Sequence, residues 1–127
     1  MSYSSNTFTG EYTYTVDPKS RVNIPAKFRQ ALSPENDNSF AITKGMDQCI
    51  WVYPVVEWNK VLTKLREQPS SQTNRAFTRD YSRFASTVSY DKQGRILLST
   101  ELTNYAKIDR HVTIIGVINK IEIWNPS

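Results

Sequence analysis

Apolar and polar positions alternate in short runs along this chain, and the same order of runs occurs twice. In the first half the alternation predicts four strands, over residues 11–16, 21–24, 40–43 and 49–53. In the second half it predicts four more, over residues 87–90, 95–98, 112–115 and 121–124. A short helix follows the second strand of each half, over residues 25–32 and again after Ser99 as its N-cap. Turns are expected at residues 44–47 and at Gly116.

A repeated phrase at the second strand marks the duplication most clearly. Each copy has a β-prone run, an Asp, three turn residues, an Arg and then aliphatic alternation. Asp17 and Arg21 of the first copy match Asp91 and Arg95 of the second, 74 positions later. One small unit has therefore been duplicated. Four short strands form a poor core alone, so we expect the two halves to share one.

The chain divides into four predicted segments. Apolar residues at helical spacing predict two connecting helices, over residues 55–67 and 74–86. The predicted segments are a flexible N-terminal arm over residues 1–9, a half-domain over 10–54, the helical connector over 55–86 and a second half-domain over 87–127. The predicted fold class is mainly β with short helices, an α+β arrangement.

Composition narrows the class of protein. The chain has 127 residues, 39% of them apolar and 12% aromatic, which suits one folded unit with a real core. Its one cysteine, Cys49, lies in an apolar run, and we expect a buried thiol in a reducing compartment. No apolar run is long enough for a membrane span, and residues 1–7 lack a signal-peptide pattern. We therefore expect a cytoplasmic protein without membrane contact.

Residues for catalysis or cofactor binding are scarce. His111 is the single histidine, no Cys/His spacing fits zinc, and no glycine-rich loop follows a strand. Asp17 and Asp91 are better explained as turn-forming residues than as paired catalytic carboxylates. We expect no enzyme, no cofactor, no metal and no small-molecule substrate.

Arg21 and Arg95 are the candidate functional residues. In one interpretation each guanidinium pairs with its own Asp and stabilises the turn. In the other, the two guanidinium groups present paired donors to phosphates or to guanine edges. The residues alone leave both interpretations open. A net charge of +4 and a pI near 9.3 permit a polyanionic partner without requiring one. For the Arg stripe at positions 75, 79 and 83 we favour a solvated helix face.

The chain resembles the MraZ family, bacterial regulators built from two AbrB/SpoVT-like half-domains. A lone Asp-x-x-x-Arg is uninformative, but two copies with matching flanks are specific. The similarity covers nearly all of residues 8–125 and is carried by residues 10–12, 17–29, 43–47, 51–54, 79–85, 91–96 and 116–124. The chain departs from the family pattern at Ser20, which stands where family members usually have Gly, as at Gly94; the second half also has Leu98-Ser99 where the first has Ile24-Pro25.

The resemblance implies both an architecture and a function. The architecture is a swapped-hairpin β-barrel, a pseudo-dimer within one chain, assembled into a homo-oligomeric ring. The function is transcriptional regulation of the division and cell-wall cluster, through double-stranded DNA repeats in the chain's own promoter, in the cytoplasm at the nucleoid. The implied DNA contacts are Arg21 and Arg95, oriented by Asp17 and Asp91. Lys19, Lys27 and Lys92 are weaker candidates for phosphate contacts, chosen by charge and proximity.

Two other functions compete with this interpretation. A structural ring-assembly protein would dock protein partners, and exposed Trp58 and Phe77 in place of a basic rim would favour it. An antitoxin-like AbrB protein would need a toxin-binding tail, which we do not expect here.

Overall fold

The computed structural model describes residues 6–127 and shows a mixed α+β fold that is mostly sheet, as predicted. Eight strands lie within these residues: β1 Phe8–Thr15, β2 Arg21–Asn23, β3 Ser39–Lys44, β4 Ile50–Pro54, β5 Ser86–Ser89, β6 Arg95–Leu97, β7 His111–Ile118 and β8 Ile121–Trp124. The α-helices of the same residues are α1 Ala26–Gln30, α2 Val55–Glu67, α3 Gln72–Arg83 and α4 Thr100–Tyr105. None of these helices is long and apolar enough to cross a membrane.

The strands of the two halves are exchanged. Six strands form one sheet in the order β1-β7-β8-β4-β3-β5, and β2 and β6 form a separate two-stranded ribbon. The hairpins β3–β4 and β7–β8 meet at β4 and β8, while the first strand of each half pairs with the other half's hairpin. Neither half therefore completes its own sheet or its own ribbon.

The strand registers show an approximate two-fold relationship between the halves. In the ribbon, Val22 pairs with Ile96, its own counterpart in the repeat. In the sheet, Trp51 pairs with Glu122, and the indole Nε1 donates to Glu122 Oε2 at 2.9 Å. Two strands that are equivalent by duplication thus pair at equivalent residues, as in a symmetric dimer.

One hydrophobic core draws on both halves, as expected. It includes fully buried aromatic side chains from the first half and buried isoleucines from the second, among them Phe8, Phe28, Ile114 and Ile123. The ring of Phe8 packs edge-on against Phe28, with centroids 5.4 Å apart. Burial of such side chains is worth roughly 1.5–3 kcal/mol each, and this supplies most of the driving force for joining the halves.

The connecting helices cover one face of the sheet through a smaller aromatic cluster. Trp58 of α2 and Tyr81 of α3 pack with Tyr53 of β4, and all three side chains are buried. The Tyr81 hydroxyl donates to the Tyr53 hydroxyl at 3.1 Å, and Thr43 Oγ1 donates to the Tyr81 carbonyl at 2.9 Å. These bonds satisfy the polar groups that the helices bury.

The structure corrects the arm predicted over residues 1–9. The first strand begins at Phe8, whose ring is buried in the core. Asn6 is also buried, and its Oδ1 accepts hydrogen bonds from the Ser33 amide and from Asn36 Nδ2. The prediction is therefore wrong for residues 6–9, and residues 1–5 lie outside the described part of the chain. A polar segment that ends in one phenylalanine gave no periodic signal of a strand.

The turn predicted at Gly116 is also wrong. Gly116 lies inside β7 opposite Gly10 of β1, and the chain reverses after Ile118, which has a φ of +66°. A Cβ on Gly116 would lie 2.6 Å from backbone atoms of Phe8 and Thr9. This glycine therefore allows close approach of two strands, and it does not form the turn.

Candidate nucleic-acid interface

The first repeated turn is organised by the carboxylate of Asp17. Its Oδ1 accepts from the amides of Lys19 and Arg21, at 2.9 and 2.8 Å. Its Oδ2 accepts from Arg21 Nε at 2.7 Å. The Ser20 amide donates to the Asp17 carbonyl at 3.0 Å and closes the turn. An Asp that accepts from amides two and four residues later stabilises a tight turn without any contribution from distant parts of the chain.

The second turn repeats the same bonds 74 positions later. Asp91 Oδ1 accepts from the amides of Gln93 and Arg95, both at 2.9 Å, and Oδ2 accepts from Arg95 Nε at 3.0 Å. The Gly94 amide donates to the Asp91 carbonyl at 2.9 Å. The duplication has therefore preserved every bond of the turn Asp, and the second turn adds one more, from Arg95 Nη2 to Gln93 Oε1 at 3.0 Å.

Ser20 adopts the conformation that its glycine counterpart favours. Its φ is +64°, and that of Gly94 is +80°. A side chain in this left-handed region costs roughly 1–2 kcal/mol, yet the turn at Ser20 keeps the same geometry. The departure from the family pattern therefore changes the energy of the first turn and leaves its shape intact.

The β2–β6 ribbon places the two turns beside each other. The Ile24 amide donates to the Gly94 carbonyl at 2.8 Å, and the equivalent Leu98 amide donates to the Ser20 carbonyl at 2.9 Å. Each strand thus ends against the other half's turn. Arg95 Nη1 also lies 3.6 Å from Asp17 Oδ2, so the two Asp–Arg pairs touch.

The charged side chains of the two Asp–Arg pairs are half-buried. The side chains of Arg21 and Arg95 are 31% and 24% exposed. The backbone amide of Arg21 is the main cause that lowers the pKa of Asp17, and that of Arg95 does the same for the pKa of Asp91. Each arginine uses Nε to bond its own Asp. The Nη groups of Arg21 donate no hydrogen bond to any residue from 6 to 127.

Six of the seven predicted site residues lie on the paired turns. Lys19 and Lys92 are both exposed there, but they are not counterparts in the repeat, which matches Lys19 with Gln93 and Lys92 with Pro18. Lys27 instead lies on α1, and its Nζ donates to the Thr9 carbonyl of β1 at 3.4 Å. The arginines at positions 75, 79 and 83 are exposed on α3.

Arg29 also belongs to this surface, although it was not among the predicted site residues. Its Nε donates to the Ile24 carbonyl at 3.0 Å, and its Cζ lies 5.7 Å from the centroid of the Tyr90 ring. Its guanidinium also lies against Gly94 of the second turn. The available signal was an asymmetry between the halves, because the position 74 residues after Arg29 holds Thr103.

This arrangement suits anion recognition. An arginine held at Nε can offer its Nη groups to phosphate or to a base; Arg21 offers both, and Arg95 offers them beside the bond from its Nη2 to Gln93 Oε1 at 3.0 Å. Among residues 6–127 no group of three or more His, Cys, Asp or Glu side chains could hold a metal ion. Cys49 is buried, and burial is the main cause that raises its pKa to about 12, so its thiol is protonated at neutral pH.

A comparison with protein families matches nearly the whole chain. The sequence profile of the family described as "MraZ protein, putative antitoxin-like" matches residues 7–80 and 83–127. Both repeated turns and the ribbon lie inside the matched residues.

Individual relatives agree with this match. Proteins called "Transcriptional regulator MraZ" from Carboxydothermus hydrogenoformans and Clostridium acetobutylicum are each 44% identical over 119 residues. These alignments cover 93% of this chain, and 80% and 81% of the relatives. The protein of the same name from Desulfitobacterium hafniense is 44% identical over 121 residues, with 94% and 82% covered.

Proposed function

This chain belongs to the MraZ family, and on that premise we propose that it is a transcriptional regulator that binds double-stranded promoter DNA through its two Asp–Arg turns. The relatives described above carry the name of transcriptional regulator, which points to a role other than enzyme catalysis. The proposed location is the cytoplasm, in association with the nucleoid.

One observation carries the proposal. Arg21 and Arg95 occupy equivalent positions on adjacent turns, and each uses Nε to bond its own Asp. A guanidinium that is fixed at Nε loses less conformational entropy when its Nη groups bind a phosphate or guanine. The two arginines therefore form a pre-organised pair on adjacent turns, suited to contacts with phosphates or base edges of a DNA duplex.

Assembly would supply affinity that one chain lacks. A net charge of +4 per chain is modest, but a homo-oligomeric ring multiplies it by the number of subunits. Several weak sites on one ring would engage repeated DNA elements together, so avidity would raise the overall affinity. Because the contacts replace condensed counterions, binding should weaken steeply as salt concentration rises.

The decisive experiment compares arginine variants on promoter DNA. Binding of the wild type, Arg21→Ala, Arg95→Ala and a matched control, Arg75→Ala on α3, is measured by fluorescence anisotropy across a salt series. The probe is a duplex from the promoter of the chain's own gene that carries short repeats, and a scrambled duplex is the comparison. Circular dichroism and size-exclusion chromatography establish that each variant stays folded and assembled.

The proposal expects a large loss only at the turns. Arg21→Ala and Arg95→Ala should each bind about ten- to a hundredfold more weakly, as for loss of one specific arginine contact. Arg75→Ala should bind as the wild type does. Unchanged affinity and salt slope in both turn variants would show that the arginines only stabilise the turns.

A ring-assembly protein that docks protein partners is the alternative. Phe77 is 38% exposed and Met46 is 67% exposed, and both line a shallow cavity of about 240 Å³ with Lys44. Trp58, the other aromatic residue considered for docking, is buried and adds nothing to this surface. Failure of the wild type to bind either duplex would favour this alternative.

A further inference from the structure

The two turns share their hydrogen bonds but differ in the residue that packs behind them. Arg29 lies against the second turn, and Thr103 is the equivalent residue behind the first. We propose that Arg29 is a third DNA-contacting guanidinium, present only at the second turn, so that each chain binds an asymmetric DNA element in one fixed orientation. This inference rests on the DNA-binding function proposed above.

Three contacts hold the Arg29 guanidinium at the second turn. Its Nε donates to the Ile24 carbonyl, and Ile24 in turn donates its amide to the Gly94 carbonyl. One face lies over the Tyr90 ring at 5.7 Å, a cation–π distance. A Cβ on Gly94 would lie 2.6 Å from both Cζ and Nε of Arg29. Gly94 therefore leaves the space that the guanidinium fills.

These contacts leave the outer part of Arg29 available to a ligand. The side chain is half-buried, and its Nη groups donate no hydrogen bond within the described residues, 6–127. Arg21 is held in a similar way, by its Nε alone, whereas Arg95 also donates from Nη2 to Gln93 Oε1 at 3.0 Å. A guanidinium held in this way loses little further entropy on binding phosphate.

The first turn lacks this group and has an open space in its place. The Thr103 hydroxyl donates to the Thr100 carbonyl, and Val16 stands where the second turn has Tyr90. Ser20 stands where the second turn has Gly94. The first turn therefore has a side chain at the position where the second turn has none and holds the Arg29 guanidinium instead. A cavity of about 460 Å³ lies here, lined by Val16, Ser20 and Thr103 among others.

Charge makes the two turns unequal as well. The second turn combines Arg95, Arg29 and Lys92 with one carboxylate, that of Asp91. The first turn combines Arg21, Lys19 and Arg110 with the carboxylates of Asp17 and Asp109. Asp17, Asp109 and Arg110 line the cavity beside this turn. The formal charge is thus +2 at the second turn and +1 at the first. A polyanion should bind the second turn more tightly.

The test uses the full chain and the promoter duplex described above. Arg29→Met removes the charge and keeps a long side chain against Tyr90, and Arg75→Met on α3 is the matched control. We expect Arg29→Met to bind about tenfold more weakly, with a salt slope smaller by about one, and the control to be unchanged. Thermal unfolding checks that Arg29→Met remains folded.

Hydroxyl-radical footprinting tests the orientation. Protection should be lost at the same end of each DNA element in Arg29→Met and Arg95→Ala, and at the other end in Arg21→Ala. The double variant Ser20→Gly/Thr103→Arg should gain protection at that other end, and this variant keeps the inference testable if Arg29→Met unfolds.

The outcomes separate this inference from the function on which it rests. If Arg21→Ala and Arg95→Ala weaken binding while Arg29→Met matches the wild type, Arg29 is a structural residue and the inference is overturned. Protection lost equally at both ends would also overturn it. If the wild type does not bind the promoter duplex, the proposed function fails and the inference fails with it.

Discussion

Arg95 Nη1 lies 3.6 Å from Oδ2 of Asp17, a residue of the opposite half of the chain. Asp17 therefore faces two guanidinium groups, its own Arg21 at 2.7 Å and the partner turn's Arg95. Among the described residues Asp91 forms an ion pair with Arg95 alone, at 3.0 Å. The pseudo-symmetry of the turns is thus broken at the carboxylates as well as at Arg29.

This asymmetry predicts different effects of two matched substitutions. Asp17→Asn and Asp91→Asn each remove one negative charge from the proposed DNA-binding surface, so the electrostatic gain in affinity for DNA cancels in the comparison. Asp17→Asn should bind promoter DNA several-fold more weakly than Asp91→Asn, because it removes ion pairs with two arginines, whereas Asp91→Asn removes one with Arg95 alone. Fluorescence anisotropy at one salt concentration measures the difference, and equal affinities would contradict the role assigned to Asp17.

Stability should depend on pH through the same carboxylates. The amides and arginines of the turns lower the pKa of Asp17 and Asp91 below 3.8, so these groups bind protons less readily in the folded state than in the unfolded state. Their contribution is fully present above pH 3.8 and is lost as the pH falls through the lower, folded-state pKa. We expect no effect of these groups on the unfolding temperature between about pH 5 and 8.

The control for this prediction is the Asp17→Asn/Asp91→Asn double variant. The wild type should unfold at a higher temperature than the variant at neutral pH, and the difference should shrink below about pH 4, as the carboxylates become protonated. Circular dichroism follows both transitions. A difference that stays constant down to pH 2 would exclude a charge-dependent contribution from these carboxylates.

The two turns should respond in opposite ways to exchange of serine and glycine. Ser20→Gly relieves a left-handed backbone and should raise the free energy of unfolding by up to about 1 kcal/mol. Gly94→Ser should lower it by more than about 1 kcal/mol, because the new Cβ would displace the Arg29 guanidinium as well as strain the turn. Urea denaturation measures both values, and the same sign for both would be inconsistent with the structure.

Gly116 should tolerate no side chain. In Gly116→Ala the new Cβ would meet backbone atoms of β1 at 2.6 Å, and neither strand can move without disturbing the ladder. We expect a loss of about 1–3 kcal/mol in the free energy of unfolding. Thr13→Ala, at an exposed position of β1, is the control and should change this value by about 0.5 kcal/mol or less. A neutral Gly116→Ala would show that the strands are less closely packed.

Cys49 should be inert in the folded protein. Burial and the charges of Glu122 and Asp47 raise the pKa of its thiol to about 12, which keeps the thiolate scarce at pH 8. Reaction with a disulfide reagent should therefore be slower by about a hundredfold or more than in urea-unfolded protein. Absorbance of the released thiolate follows both reactions, and equal rates would mean that the β3–β4 turn opens readily.

Features of this fold that depend on neighbouring residues were predictable from the sequence. Features that depend on contacts between residues far apart in the chain were not. The helix over residues 55–67 was predicted with the bounds that the structure shows, because helical periodicity is a property of neighbouring residues. The turn bonds of Asp17 and Arg21 were predictable for the same reason. Gly116 was misassigned because its requirement comes from β1, which lies more than a hundred residues earlier in the chain.

The residues of the candidate site were likewise only partly predictable from the sequence. The repeat identified Arg21 and Arg95, and the structure brings them to adjacent turns through the β2–β6 ribbon. Two of the three contacts that position Arg29 are with Gly94 and Tyr90, which belong to the other half. Lys27 was chosen by charge and proximity, and its contact with Thr9 depends on how β1 crosses α1. Its role in DNA binding stays a prediction.

The exchange of strands between halves governs the order in which the chain can fold during synthesis. The first strand pairs with β7, and the partner of Phe8 is Ile118, so the N-terminal strand must wait until almost the whole chain has left the ribosome. The β2–β6 ribbon is delayed in the same way. Contacts of such long sequence separation slow folding and expose unpaired strands during the wait. The β3–β4 hairpin and the two helices that follow it are the elements able to form first, so the β2–β6 ribbon that brings the two repeated turns together should be completed late.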